Sequence, residues 1–113
     1  LKFESDLPYE ILSEFVHPWS YAEFENQYVN VGETLRKAMT FNPYLRVFIA
    51  NGYYDLGTPY FATEYTFDHL GLDENLRNNI SMEYYEAGHM MYIHMPSLRQ
   101  MKKDLSSFIK SAM

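Results

Sequence analysis

Leu45-Arg46-Val47-Phe48-Ile49-Ala50-Asn51-Gly52 is the stretch that decides the fold. Apart from Arg46, residues 45–50 are continuously apolar, the pattern of a strand buried on both faces of a parallel sheet. Asn51-Gly52 is expected to end it. On its N-terminal side the spacing predicts a helix over about 31–40, with Val31, Leu35, Ala38 and Met39 as its apolar stripe. Asn30 can cap that helix, Glu33 stands three residues on as in a capping box, and Asn42-Pro43 stops it. Residues 1–29, punctuated by Pro8 and Pro18, read as short helical pieces and loop.

On the C-terminal side Thr58-Pro59 reads as a cap followed by proline at the first helical position, opening a helix over about 59–70 before Gly71. Asp73 caps a short turn through Arg77, and a second strand is expected over about 80–86, ended by Ala87-Gly88. Leu98, Met101, Leu105, Phe108, Ile109 and Ala112 then make one apolar stripe along a final helix over about 97–111. Helices alternating with strands make this an α/β chain with parallel pairing, an αβαβα core over 30–113 within a single partial domain, 1–113. Two strands alone leave open edges that invite pairing with another chain. The expectation is part of a larger sheet.

The 113 residues carry a net charge of −6 and are 47% hydrophobic, ordinary for a globular domain. An acidic chain with no basic stretch lacks the means to neutralise phosphates, which argues against nucleic acid. No apolar run is long enough to cross a bilayer, and the opening Leu1-Lys2-Phe3-Glu4-Ser5-Asp6 does not read as a signal peptide. A first residue other than Met fits a segment of a longer protein. The absence of cysteine excludes a disulfide framework and thiolate chemistry, and fits cytosol and periplasm equally. Acids crowd residues 1–33 and bases crowd 96–113, so these stretches face one another, face missing partners or, the plainer reading, form two solvated faces. The aromatic content of 18% suits either a core or a pocket lining.

In an open parallel sheet, functional groups gather beyond the carboxyl ends of the strands. There the first strand leads to Tyr53-Tyr54-Asp55-Leu56-Gly57, and the second to Glu86-Ala87-Gly88-His89-Met90-Met91. Asp55 and His89 thus sit on glycine-containing loops at one rim, where a carboxylate can orient an imidazole as a base. Taken singly, Asp55 reads as an ordinary turn or capping residue and His89 as a satisfied loop histidine. Together they follow the order Asp then His that closes an α/β-hydrolase triad.

The stretches Val47-Phe48-Ile49-Ala50-Asn51-Gly52-Tyr53-Tyr54-Asp55, Thr58-Pro59 and Ala87-Gly88-His89-Met90 resemble the C-terminal region of serine carboxypeptidases, in particular bacterial members. The likeness is strong around Asp55 and His89 and weak before residue 30. It implies the C-terminal part of an α/β-hydrolase fold, in a longer enzyme that releases C-terminal amino acids from peptides through an acyl-enzyme. Asp55 and His89 would be catalytic, Asp55 orienting His89 and His89 deprotonating a serine. Met90 would line the pocket for the last substrate residue. The resemblance also implies a periplasmic or secreted protein, no cofactor, and the remainder of the hydrolase domain as partner.

The chain departs from that family in three respects. No Gly-x-Ser-x-Gly elbow is present: the glycines stand at 32, 52, 57, 71 and 88, and no serine has glycines flanking it in that way. The segments that supply the oxyanion hole and bind the substrate carboxylate are missing. The histidine loop continues Met90-Met91-Tyr92-Ile93, where many eukaryotic members have a proline. Without a nucleophile or oxyanion donors, the chain alone is expected to be inactive.

Other readings stay open. An aminopeptidase or esterase of the same fold would carry the same Asp and His. An interaction module that oligomerises through open strand edges would be no enzyme. A metal site would draw on His17, His89, His94, Glu83 and Glu86, but the His89–His94 spacing does not match the helical two-histidine motif of zinc hydrolases. Met90, Met91, Met95 and Met101 suit core packing better than soft-metal binding.

Overall fold

In the computed structural model, residues 4–8 and 13–112 are described. Parts of the irregular 1–29 stretch, at 1–3 and 9–12, lie outside the described residues. The rest of it is loop with two single turns of 3₁₀ helix, Glu14–Val16 and Ala22–Phe24. Then follow α1 (Gly32–Phe41), β1 (Val47–Gly52), α2 (Tyr60–Asp68), α3 (Glu74–Arg77), β2 (Ile80–Tyr85) and α4 (Met95–Ser111). The two strands pair in parallel, in a register that runs from Val47 opposite Ile80 to Gly52 opposite Tyr85.

Side chains alternate across the sheet, so each strand feeds two faces. On one face Val47 and Ile80 meet Leu35 and the fully buried Met39 of α1, together with Phe67, Leu70, Leu72 and Leu76. On the other, α4 lies against Phe48, Ala50 and Tyr85. Phe108 packs tilted on Phe48 with ring centres 5.3 Å apart, and Met101 joins Ala50, Tyr85, Ala87 and Met91. Tyr85 donates its phenol proton to Asp104 Oδ2 at 3.1 Å, tying α4 to β2. Burial first, and this carboxylate second, push the Tyr85 phenol well above its ordinary value. Helices thus cover both faces of a two-stranded parallel sheet.

Several boundaries differ from the sequence reading. β1 begins at Val47, because the Leu45 amide donates to Asn42 O at 2.9 Å and keeps Leu45 in the turn after α1. It runs through Asn51 and Gly52, which stay in register with Tyr84 and Tyr85. β2 ends at Tyr85, since the Ala87 amide folds back to Tyr85 O at 2.8 Å and turns Glu86 out of the ladder. α2 spans Tyr60–Asp68, shorter at both ends than 59–70, because Pro59 is extended and Gly71 turns the chain with a φ of 68°. α4 starts at Met95, two residues early, with Pro96 accommodated in its first turn and the Leu98 amide donating to His94 O.

Neither reciprocal bond of the capping box expected at α1 forms, and the residue at the helix cap is Val31. Asn30 Oδ1 accepts the Gly32 amide at 2.9 Å, but Glu33 turns instead to Arg36 in a two-point ion pair at 2.6 and 2.7 Å. Asp73 caps α3 as expected, accepting from the Asn75 amide.

Burial is shallower than a strand covered on both faces requires. Val47 to Ala50 are only half-buried, because among the described residues neither strand has a second neighbour. The α4 stripe divides likewise. Leu98, Met101 and Phe108 are half-buried, whereas Leu105 and Ile109 are exposed and, with Lys102 and Lys110, line an open groove of about 600 Å³. Among the described residues no ion pair joins the acidic N-terminal stretch to the basic C-terminal one, and no helix is long and apolar enough to cross a membrane.

Candidate functional site

The carboxyl ends of β1 and β2 are stitched together beyond the ladder itself. The Tyr53 amide donates to Tyr85 O and the Tyr54 amide to Ala87 O, both at 3.0 Å. The Asp55 amide then turns back onto Gly52 O at 3.2 Å. These bonds carry the loop after β1 across the loop after β2, so that Asp55 and His89 meet.

His89 Nδ1 stands 2.7 Å from Asp55 Oδ2. The carboxylate is sunk into the turn, its side chain 5% exposed, while the imidazole beside it is 70% exposed. Three further donors converge on Asp55. Oδ1 accepts the amides of Gly57 and Thr58, each at 2.9 Å, and Oδ2 accepts the Thr58 hydroxyl at 2.6 Å. The hydroxyl of Thr58, its amide, the His89 ring and the Gly57 amide outweigh burial and hold the Asp55 carboxyl well below the usual carboxylate range. Being ionised, Asp55 has no proton to give, so the proton between it and the ring belongs to Nδ1. The other ring nitrogen, Nε2, has no hydrogen-bond partner among the described residues. A buried anion therefore orients an exposed imidazole whose second nitrogen is free to take a proton.

Met90 follows His89, half-exposed, and borders a groove of about 580 Å³ together with Glu86, Ile93, His94 and the 87–89 loop. Its lining is chiefly apolar, with Glu86, His89 and His94 as polar groups. His69 and His94 are held by partners of their own. His69 bonds Tyr65 O at 2.7 Å and stacks on the Tyr65 ring, and His94 bonds Ser97 Oγ at 2.8 Å. Among the described residues no group of three or more His, Asp or Glu side chains is arranged to hold a metal ion.

Thr58 is the site residue that the sequence reading missed. Read as the cap of the second helix, it makes no side-chain bond to that helix, and both its hydroxyl and its amide serve Asp55. The signal was present in Asp55-Leu56-Gly57-Thr58, an Asp followed three residues later by a hydroxyl in a glycine-containing turn. The adjacent Pro59 made the cap reading compete with it. No family model, no curated protein and no solved structure matches the chain.

Proposed function

We propose that this chain is the C-terminal segment of a serine carboxypeptidase-like α/β-hydrolase and supplies the Asp and His of its triad. The single observation that carries the reading is the 2.7 Å contact between buried Asp55 and exposed His89 at the carboxyl ends of adjacent parallel strands. In this mechanism His89 Nε2 removes the proton of a serine hydroxyl as the oxygen attacks the last peptide carbonyl. The imidazolium that forms is stabilised by the Asp55 carboxylate and then protonates the departing amine. Water repeats the sequence on the acyl-enzyme.

Serine and oxyanion donors come from the remainder of the hydrolase domain, for which the open strand edges and the uncovered α4 groove provide packing surfaces. Met90 borders the substrate's C-terminal residue. The wording Asn51-Gly52-Tyr53-Tyr54-Asp55 and Ala87-Gly88-His89-Met90 favours a carboxypeptidase over an aminopeptidase or esterase of the same fold. The test is hydrolysis by the full-length protein of paired peptides with free and blocked C-termini. Release of the last residue from the free form alone is expected, and equal cleavage of both would overturn the carboxypeptidase reading.

The same uncovered groove and strand edges favour a second reading, a non-catalytic module that self-associates. It requires a stable oligomer of the chain by light scattering, and a folded monomer would remove it.

A further inference from the structure

The Asp55–His89 contact has a third member. Thr58 Oγ1 lies 2.6 Å from Asp55 Oδ2 and 3.2 Å from His89 Nδ1, so the three polar atoms close a triangle. A hydroxyl has one proton to give. Were it given to Nδ1, an ionised Oδ2 would face an unprotonated nitrogen at 2.7 Å, lone pair against lone pair. The arrangement that leaves no such conflict sends the hydroxyl proton to Oδ2 and turns the lone pairs of Oγ1 toward Nδ1–H. The Nδ1 proton then has two acceptors on one side of the ring, and Nε2 keeps its lone pair on the other.

We propose that Thr58 is a positioning residue for His89: its hydroxyl locks the Asp55 carboxylate and serves as second acceptor for Nδ1–H, holding an exposed ring in the one tautomer that works as a base. The role deepens the reading of His89 as a triad base and rests on it. Two features set it apart from capping. The side chain makes no bond to α2, and its own amide is also spent on Asp55, at Oδ1. A solvent-facing imidazole has little packing to hold it, so hydrogen bonds at Nδ1 are what restrain it.

Two substitutions separate the hydroxyl from the shape. Thr58→Val keeps the branched side chain and deletes the hydroxyl, and Thr58→Ser does the reverse. The ring nitrogens of His89, observed by ¹⁵N NMR in the 113-residue chain with the imidazole neutral, report the tautomer without any need for activity. Thr58→Val is expected to move the tautomer ratio toward Nε2–H by about fivefold or more, as loss of one hydrogen bond dictates, whereas Thr58→Ser keeps the parent ratio. In the full-length protein Thr58→Val lowers kcat about tenfold at unchanged KM, and Thr58→Ser stays within about twofold. A Val variant with the parent tautomer ratio, or a Ser variant displaced as far as Val, overturns the role of Thr58. Full-length protein without peptide hydrolysis would instead remove the proposed function, with the ring nitrogens still deciding the position of the proton.

Discussion

Gly52 of β1 and Gly88 of the histidine loop meet backbone to backbone. A Cβ added at Gly52 would collide with the Gly88 carbonyl oxygen and stand 2.7 Å from that of Ala87. The requirement here is space, not a left-handed backbone. It is also what lets the Tyr54 amide reach Ala87 O and Asp55 reach His89.

Gly52→Ala is therefore expected to force the two loops apart and to destabilise the chain by about 1–3 kcal/mol, the range for overpacking. Urea unfolding measures the stability. Loss of the Nδ1–H signature of His89 in the folded variant reports the separation. A variant with parent stability and parent His89 nitrogens would show that the loops have slack.

Asp55→Asn keeps the size of the side chain and removes the charge that orients His89. In the full-length protein turnover should fall roughly 10³–10⁴-fold, the scale seen when a triad loses its orienting anion, while circular dichroism stays unchanged. An unaltered rate would reduce Asp55 to a turn residue.

His89→Ala should abolish base catalysis yet leave stability within about 0.5 kcal/mol, as for other exposed substitutions. Asp55 keeps its three bonds from Gly57 and Thr58 when the imidazole is gone. A larger loss in urea unfolding would mean that the ring props the loop.

The lowered Asp55 carboxyl sets a direction for acid sensitivity. Its folded value lies below the ordinary 3.8 expected in the unfolded chain, so its contribution to stability is complete above that value. It fades as pH falls toward and through the folded value. The stability difference between the parent chain and Asp55→Asn should accordingly be largest near neutrality and shrink from about pH 5 downward. A difference independent of pH would contradict the hydrogen-bond pattern around this carboxylate.

Tyr84 predicts behaviour at the opposite extreme. Its phenol donates to Glu64 Oε1 at 2.6 Å, and this bond first, with burial second, pushes it from the ordinary 10 up to about 12. The contribution is full below the ordinary value and is lost as pH rises through the folded one. Spectrophotometric titration should show late-ionising tyrosines, Tyr85 among them, and Tyr84→Phe should remove one of these. Loss of a tyrosine that ionises in the ordinary range instead would place the Glu64 bond in doubt.

Much of the architecture was legible in residue order. The α4 helix and the Asp73 cap depend on neighbours a few positions away and form close to where the pattern put them, although α4 opens two residues early and its stripe is exposed at Leu105 and Ile109. The parallel pairing, by contrast, joins residues distant in sequence. The boundaries moved where individual hydrogen bonds, near or far along the chain, intervened. Leu45 was captured by Asn42 after α1, and Gly52 was kept in β1 by Tyr85 of β2. Thr58 was misread because its cap-like neighbour Pro59 is visible in sequence, whereas the direction of its hydroxyl depends on where Asp55 turns.

The amino-acid order alone determined which chemical groups arrive at the strand ends, an acid after β1 and an imidazole after β2, since local propensity and hydrophobic pattern are short-range. Tertiary structure decided that they touch. Asp55 and His89 are 34 residues apart, and their 2.7 Å contact follows from the β1–β2 register and the bare backbone of Gly52 against Gly88. Thr58 joins them because the Asp55 turn aims its hydroxyl at the shared carboxylate oxygen, a direction set by backbone geometry that the order of residues does not express.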